Sequence, residues 1–405
     1  MISADRALRI ILDAVPPPAI ETVDLPHAPG RTAAEDIVAG GDIPGFKNSS
    51  MDGFAVRSAS LKGASPGNPV TLTVAGESSA GNPFAGRPGK GDAVRIMTGG
   101  KIPAGMDAVV PVEKTGGKST RAVTFHEPAS PGDYIRLPGE DIPRGRRVIR
   151  AGELLTPYHA GVLAATGHDE VRVSVRPRVG ILATGDELIS PGRTPTGGKI
   201  RNSSSYALMG LVREAGGRPR FIGIVRDRKK SIRKKIGEGL AFRVLLMTGG
   251  VSVGAHDYAG ESLRRSGVEI KFWRVNIRPG SPLLFGVARG TLVFGLPGNP
   301  VSTAVTFLQF VRPALRKMLG RTRLVPSRVR ALADESLVVK DGKRCYMRGI
   351  AREENGALRV TTTGSQSSGV MTSLLRANCL IVIPEGTRSV RRGAPVEIEF
   401  FNDPF

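Results

Sequence analysis

The stretch 245–257, LLMTGGVSVGAHD, most constrains how this chain can fold. The apolar run 244–247, which overlaps the start of this stretch, is typical of a buried strand, and the glycines that follow end the strand in a loop. Glycines let backbone N–H groups approach an anion closely, and Thr248 and Ser252 add hydroxyl donors. A simple turn is the alternative interpretation. Because open α/β sheets bind ligands in such loops at the carboxyl ends of their strands, the stretch predicts a binding site.

Two other apolar runs end in the same way. The run 179–183 leads into TGDE, and the run 291–294 leads into GLPGNP. In the second, Asn299 can cap and Pro300 can begin a long helix over 301–319. The carboxyl ends of parallel strands meet at one edge of a sheet, so the three loops predict one shared crevice.

The length of 405 residues exceeds what one hydrophobic core usually serves, so several domains are expected. Strand and helix patterns alternate over 171–322, which predicts a parallel α/β sheet domain. Short apolar runs separated by Gly and Pro predict small β domains over 46–139 and 323–405. The fold class is therefore α/β plus β.

Two helix starts are marked by capping residues. Ser3 can cap a first amphipathic helix, and Thr156 can cap a second one in which Pro157 takes the first position. These helices predict one helical domain formed by 1–45 and 140–170, into which the first β domain is inserted.

The net charge of the chain bears on which classes of partner it could bind. Its 58 Lys and Arg residues outnumber 36 Asp and Glu residues, and the formal net charge of +22 would attract polyanions. The basic residues are dispersed, with local clusters at 226–235 and 388–392, and no zinc-finger or RNA-recognition pattern accompanies them. The sequence therefore does not favour a nucleic-acid-binding protein. A basic polyanion-binding or scaffolding protein remains a second hypothesis.

Cysteine usage and hydropathy favour the cytoplasm. Cys345 and Cys379 lie outside any CxxC pattern, so neither a disulfide framework nor a thiolate zinc site is indicated. The first residues, MISADRALRI, lack the apolar core of a signal peptide, and no apolar run is long enough to span a membrane. We expect a soluble cytoplasmic protein.

Carboxylates in predicted loops indicate the chemistry. In a chain otherwise short of acid, they are Asp52, Asp141, Glu187, Asp227 and Asp257. Their oxygens suit Mg²⁺, which takes one or two carboxylates together with substrate phosphate oxygens. Any single loop aspartate is also a common turn former or helix cap. Arg274 and Arg278 follow near one predicted sheet edge, where guanidinium groups can bind a tetrahedral oxyanion or simply face solvent.

Short motifs along the chain resemble one known family. NSSMDGFAVR, IMTGGKIPAG, PGEDI, RVGILATGDEL, GIVRD, TGGVSVGAHDY, IRPGSP, GLPGNPVS and TTTG occur in the order seen in the molybdenum insertases, the molybdopterin molybdenumtransferases, whose relatives include the E domain of gephyrin. The resemblance covers 5–403. It implies Mg²⁺-dependent insertion of molybdate into the dithiolene of adenylylated molybdopterin, with release of AMP.

The resemblance also implies how the protein assembles. It implies a protomer of four subdomains and an elongated homodimer. The cleft lies between the inserted β domain of one subunit and the α/β and C-terminal domains of the other. A molybdopterin adenylyltransferase is implied as a partner that supplies the substrate.

Individual site residues follow from the matching motifs. The implied catalytic residues are Asp52, Thr98, Asp141, Glu187, Asp257, Arg274 and Arg278. The implied substrate-binding residues are Thr184, Gly185, Thr248, Gly249, Gly250, Ser252, Pro297, Asn299, Pro300, Arg348 and Ser368. The implied metal ligands are Glu187, Asp227 and Asp257.

Several positions depart from the family pattern. Lys47 replaces an Asp, Asn202 and Ser204 replace an Asp and an Asn, and Ser281 replaces a basic residue. Arginines stand in place of lysines at positions 274 and 278, which keeps the charge but changes the geometry of anion binding. A diverged paralogue that handles tungstate is therefore an alternative to the molybdate enzyme.

Overall fold

The structure is a computed structural model that describes residues 1–117, 120–250, 258–339 and 341–401, without the side chain of Tyr258. Three six-stranded sheets dominate these ranges. No helix within them is long and apolar enough to cross a membrane.

The central sheet belongs to the α/β domain, whose elements are labelled here in chain order. They are β1 (Arg178–Thr184), α1 (Ser204–Glu214), β2 (Arg218–Val225), α2 (Lys229–Gly239), β3 (Val244–Thr248), α3 (Tyr258–Arg265), β4 (Glu269–Trp273), β5 (Leu284–Ala288), β6 (Thr291–Leu296), α4 (Pro300–Thr306) and α5 (Arg312–Met318). The strand order is β2-β1-β3-β6-β5-β4. Alternate residues of β3 enter two separate apolar cores, one with α1, α4 and α5 and the other with α2 and α3. Both faces of the sheet are covered, which is why β3 and β6 are buried throughout.

This sheet is mixed, whereas the sequence analysis predicted a parallel one. β1, β2, β3 and β6 run parallel, but β5 pairs antiparallel with β6, and β4 pairs antiparallel with β5. A two-residue turn, Arg289-Gly290, joins β5 to β6 with φ values of 49° and 80°. So short a turn leaves no room for a crossover and forces an antiparallel hairpin. The prediction was wrong at this edge because Arg-Gly is not a strong hairpin signal.

The long helix predicted over 301–319 is divided into segments. α4 runs into a π-helical turn, Phe307–Val311, before α5 begins. Pro313 lies in the first turn of α5, where it has no N–H to donate and its ring would collide with the carbonyl of Gln309 in a regular α-helix. The wider turn accommodates the proline, and the helix continues.

The two predicted helix starts are confirmed. The Ser3 hydroxyl accepts a hydrogen bond of 3.3 Å from the Arg6 N–H at the start of the helix Ala4–Asp13. Thr156 and His159 form a reciprocal capping box at the start of the helix Pro157–Ala165. Both signals were readable because a cap and its partner lie only three residues apart.

The domain predicted to be helical also contains strands. Ile20–Asp24 pairs with Glu170–Ser174, and Ile37–Val38 pairs with Arg147–Ile149. These strands are two to five residues long, and the sequence analysis did not identify them. In addition, the helix Ala4–Asp13 packs its apolar face into the core of the α/β domain. "Helical" was therefore too narrow a description of this part of the chain.

The two other large sheets lie on either side of the α/β domain in the sequence. The first contains Gly53–Val56, Val70–Ser78, Asp92–Ile96, Ala108–Pro111, Thr115–Gly116 and Ala122–Phe125. The second contains Ile277–Arg278, Arg328–Ala333, Arg344–Glu354, Ala357–Thr362, Cys379–Ile383 and Pro395–Phe400, with the short helix Thr372–Arg376 beside it. Its edge strand, Ile277–Arg278, comes from the connection between β4 and β5. The C-terminal sheet is thus tied directly to the α/β domain.

Candidate active site

A cavity of about 440 Å³, the first cavity, opens at the carboxyl ends of β1, β3 and β6. It brings together these residues of the predicted site: Thr184, Glu187, Thr248, Gly249, Gly250, Pro297, Asn299 and Pro300. The starts of α1 and α4 complete its wall. The described parts of the three loops therefore border one crevice.

Close packing of the strand ends requires glycine in this wall. Gly249 and Gly250 have φ values of 80° and 65°. A Cβ on Gly249 would lie far inside van der Waals contact with the carbonyl oxygen of Thr184, and one on Gly250 would lie 2.7 Å from the Thr184 hydroxyl. The Thr184 hydroxyl donates to the carbonyl of Thr248 (3.2 Å), and the Gly249 N–H donates to the carbonyl of Leu296 (3.3 Å). The ends of β1, β3 and β6 are thus held together by direct bonds.

The start of α1 forms part of the wall of the first cavity. Asn202, which is buried, accepts a hydrogen bond from the Ser205 N–H (3.2 Å) and donates to its hydroxyl (3.0 Å). This bond satisfies one amide of the first turn and leaves neighbouring N–H groups without an intrahelical partner. Asn202, Ser203 and Ser204 all line the cavity. Two of the positions that depart from the family pattern, 202 and 204, therefore lie in the cavity wall.

Asn299 does not cap α4 with its side chain, contrary to the prediction. Its amide donates instead to the Ser368 hydroxyl (3.0 Å) in the C-terminal domain. The Thr303 hydroxyl donates to the carbonyl of Pro297 (2.6 Å) and closes the first turn. The GLPGNP loop thus reaches across to a second domain.

Carboxylates gather beside the first cavity. Glu187 is the one carboxylate that lines it among the described residues. Burial raises the pKa of the Asp227 carboxyl, and the negative charges of Asp186 and Glu187 raise it further. Gly185 leaves space for the Glu187 side chain, because a Cβ at position 185 would lie 2.5 Å from the Glu187 carboxylate. The sequence analysis missed Asp186, although it stands in the TGDE segment.

The predicted metal ligands are only partly within view. Glu187 and Asp227 influence each other electrostatically, whereas Asp257, like the predicted ligand-binding residue Ser252, lies outside the described residues. Across the ranges that the structure describes, no group of three or more His, Cys, Asp or Glu residues forms a metal site by protein ligands alone.

A second cavity, of about 200 Å³, lies in the C-terminal domain around Arg348. Arg348 is 1% exposed, and its guanidinium donates to the Ser373 hydroxyl (3.1 Å) and to the carbonyls of Ser365 (3.4 Å) and Ser367 (3.2 Å). No carboxylate of the described chain pairs with it. Burial lowers the pKa of Arg348, as expected for a cation removed from water. Arg278 also lines this cavity, which gives it a second positive charge.

The two cavities are neighbours. Ser367 lines the second, and the next residue, Ser368, bonds to Asn299 in the wall of the first. The segment from Pro279 to Pro282 borders the second cavity at one end and the first at the other. The segment from Pro279 to Pro282 and the segment Ser367–Ser368 therefore separate the first cavity from the buried Arg348.

Within the described ranges, four predicted catalytic residues, Asp52, Thr98, Asp141 and Arg274, do not line these two cavities. In the inserted β domain, one Asp52 carboxylate oxygen accepts hydrogen bonds from the Thr98 N–H and hydroxyl, both of 2.7 Å. These bonds hold the pKa of Asp52 below its usual range. Asp141 lines a separate cavity of about 360 Å³. The backbone N–H of Arg274 donates to the carbonyl of Leu283 (2.9 Å), and its side chain lines neither cavity.

Comparison with known families and structures defines the class of protein. Family models match the chain as a MoeA N-terminal region (domain I and II) over 2–167, a probable molybdopterin binding domain over 180–317, and a MoeA C-terminal region (domain IV) over 330–401. With the mixed sheets described above, these matches define a multidomain protein of the MoeA type, whose α/β domain is of the molybdopterin-binding kind.

Individual relatives are similar over nearly their whole length. A molybdopterin molybdenumtransferase from Haemophilus influenzae is 36% identical over 99% of both chains, and one from Nostoc sp. is 36% identical over 93% of this chain and 87% of its own. A crystal structure of a molybdopterin biosynthesis MoeA protein from Pyrococcus horikoshii OT3 has a TM-score of 0.85 at 32% identity, covering 99% of this chain and 100% of its own. The chain belongs to the molybdopterin molybdenumtransferase family of enzymes of molybdenum cofactor biosynthesis. The resemblance predicted from the motifs is confirmed.

Proposed function

We propose that this protein inserts molybdate into the dithiolene of adenylylated molybdopterin and releases AMP. The observation that carries the proposal is the juxtaposition of the two cavities. The first has backbone and hydroxyl donors beside carboxylates, which suits a pyrophosphate, and the second has a buried cation, which suits a tetrahedral oxyanion. Holding two reactants side by side can lower the activation free energy by on the order of 7–11 kcal/mol.

Glu187 and Asp227 would hold Mg²⁺ when the substrate is bound. Their carboxylate oxygens fit, because Mg²⁺ commonly takes one or two protein carboxylates and completes its shell with phosphate oxygens. The raised pKa of Asp227 supports this role, since a cation would offset the negative charge that surrounds it. When bound, the ion would stabilise the charge of the leaving phosphate. Asp257 as a further ligand stays a prediction.

The chain's own groups would bind and orient the two substrates. The Gly250 backbone and the start of α1 would hold the phosphates, because both line the first cavity, whereas the Gly249 N–H is already bonded to the Leu296 carbonyl. Arg348 would hold the oxyanion with a guanidinium already fixed by its bonds to the Ser365–Ser367 loop. The substrate would come from a separate enzyme that adenylylates molybdopterin.

The catalytic assignment is tested by AMP release from adenylylated molybdopterin in the presence of molybdate and Mg²⁺. We expect Glu187→Gln to lower the rate by about 100-fold or more, because the metal-binding charge is lost. Glu238→Gln, which removes an equal charge from an exposed ion pair with Lys235 on α2, should keep the wild-type rate. A wild-type rate for Glu187→Gln would refute the assignment.

The oxyanion assignment is tested by molybdate binding. Arg348→Met keeps much of the side-chain volume but removes the buried charge, so it should abolish molybdate binding while the protein stays folded, as circular dichroism would show. Retained binding by a folded Arg348→Met variant would contradict this assignment. Repeating the AMP-release assay with tungstate in place of molybdate separates the molybdate enzyme from the paralogue that handles tungstate.

A homodimer is proposed because Asp52, Thr98 and Asp141 do not line the two cavities of their own chain. In such a dimer, the inserted β domain of one subunit would complete the site of the other. Co-expression of Asp52→Asn and Glu187→Gln chains tests this. Random pairing gives half heterodimers with one intact site each, so about a quarter of the wild-type activity should return. No recovery despite demonstrated heterodimers would refute the shared site.

A further inference from the structure

One cation of the second cavity, Arg278, already pairs with a carboxylate of the same chain. An Asp341 carboxylate oxygen lies 3.2 Å from the Arg278 guanidinium, and its other oxygen lies 3.6 Å from the Lys343 ammonium. Arg278 is half exposed, with 52% of its side chain accessible. Arg348, by contrast, is buried, and its partners among the described residues are neutral oxygens. Of the two arginines that line this cavity in the described chain, Arg278 is therefore paired with a carboxylate and Arg348 is not.

The pairing of strands places these charges together. Ile277–Arg278 forms the edge of the C-terminal sheet and pairs in parallel with Arg344 and Cys345. Asp341 and Lys343 belong to the turn that leads into that strand, so the sheet register brings them beside Arg278. Cys345 lies in the wall of the same cavity. Its thiol pKa, raised to about 11 by burial, is also influenced by the charges of Arg278, Asp341 and Arg348.

We propose that Asp341 is a positioning residue: it engages the Arg278 guanidinium in an ion pair at the second cavity until an oxyanion displaces the Asp341 carboxylate. This inference rests on the proposed function, because it takes the second cavity as the oxyanion site. Exposed ion pairs are weak, so a doubly charged oxyanion competes for Arg278 readily. When Arg278 turns to the oxyanion, Asp341 still has Lys343 as a partner, so the Asp341 carboxylate is not left unpaired. Asp341 thereby lowers oxyanion affinity and favours release.

The test is molybdate binding to the full chain, measured by isothermal titration calorimetry at fixed ionic strength. Asp341→Asn frees Arg278 and should tighten molybdate binding by about two- to fivefold, the range expected for an exposed ion pair. Glu397→Gln is the matched control. It removes the same charge from the same sheet, at an ion pair of 3.1 Å with Arg328 that lines neither cavity, and should leave the affinity unchanged.

A double variant distinguishes displacement of Asp341 from Arg278, here called the latch, from a general effect of the Asp341 charge on the electrostatic potential of the cavity. Arg278→Gln should weaken molybdate binding. The double variant Arg278→Gln, Asp341→Asn should bind molybdate no more tightly than Arg278→Gln alone, because Asp341 acts through Arg278. An equal gain in both backgrounds would overturn the latch, as would an Asp341→Asn affinity equal to that of the wild type. If Arg278→Gln and Arg348→Met both bind molybdate as the wild type does, the oxyanion site itself is elsewhere. In that case the latch falls together with the proposed function.

Discussion

Replacing Gly249 by alanine should loosen the wall of the first cavity. The substitution has two separate costs. A residue with a side chain at φ 80° loses about 1–2 kcal/mol to left-handed backbone strain. The new Cβ would also lie well below 3.0 Å from the Thr184 carbonyl oxygen, a backbone atom of a central strand that cannot yield easily. Overpacking of this kind costs about 1–3 kcal/mol, so the total is about 2–5 kcal/mol.

Gly198 provides a matched control for this variant. Its φ of 79° is nearly the same, but within the described chain no heavy atom lies within 4 Å of an added Cβ. Gly198→Ala should therefore show only the backbone strain, about 1–2 kcal/mol. The difference between the two variants isolates the steric contact, at about 1–3 kcal/mol.

Hydrogen exchange of the amides of β1 and β3 is the suitable assay, because a multidomain chain need not unfold in one step. The opening free energy of these amides should fall much more in Gly249→Ala than in Gly198→Ala. If the two variants agree within about 0.5 kcal/mol, the packing of Gly249 against Thr184 does not constrain the site, and the reasoning is refuted.

Three further outcomes are expected. The pKa of Asp227 in the folded protein is raised above its ordinary value of 3.8. Wild-type stability therefore falls as the pH rises from the ordinary pKa through the folded one, because the folded state holds this proton more tightly. Asp227→Asn should therefore raise the melting temperature at pH 7 in a chelator, and an unchanged or lower value would contradict this. Thr98→Val removes one of two hydrogen bonds to Asp52 and should raise the Asp52 pKa in an NMR titration, so a pKa that does not move would exclude the hydroxyl as a cause. Burial raises the pKa of Cys345 to about 11 and of Cys379 to about 12, so both thiols should react with a disulfide reagent at pH 8 only after denaturation, and rapid labelling of the folded protein would disprove their burial.

The sequence by itself determined the local structure and the family. The caps at Ser3 and Thr156 were readable because their hydrogen bonds span three residues. The buried strands β1, β3 and β6 were readable because strands covered on both faces are continuous apolar runs. The motif order predicted the family because each motif is a short, contiguous stretch.

Only the tertiary structure decided which distant residues meet. Arg278 lies in the C-terminal sheet and pairs with Asp341, 63 residues away, and Asp52 pairs with Thr98, 46 residues away. The cost of closing a loop changes little with its length, so sequence separation says almost nothing about such contacts. Sheet register and domain packing select them instead, and these depend on all the surfaces that must be buried together. The strand ends predicted the first cavity, but its position beside the second cavity, on which the proposed chemistry depends, could be recognised only in the folded chain.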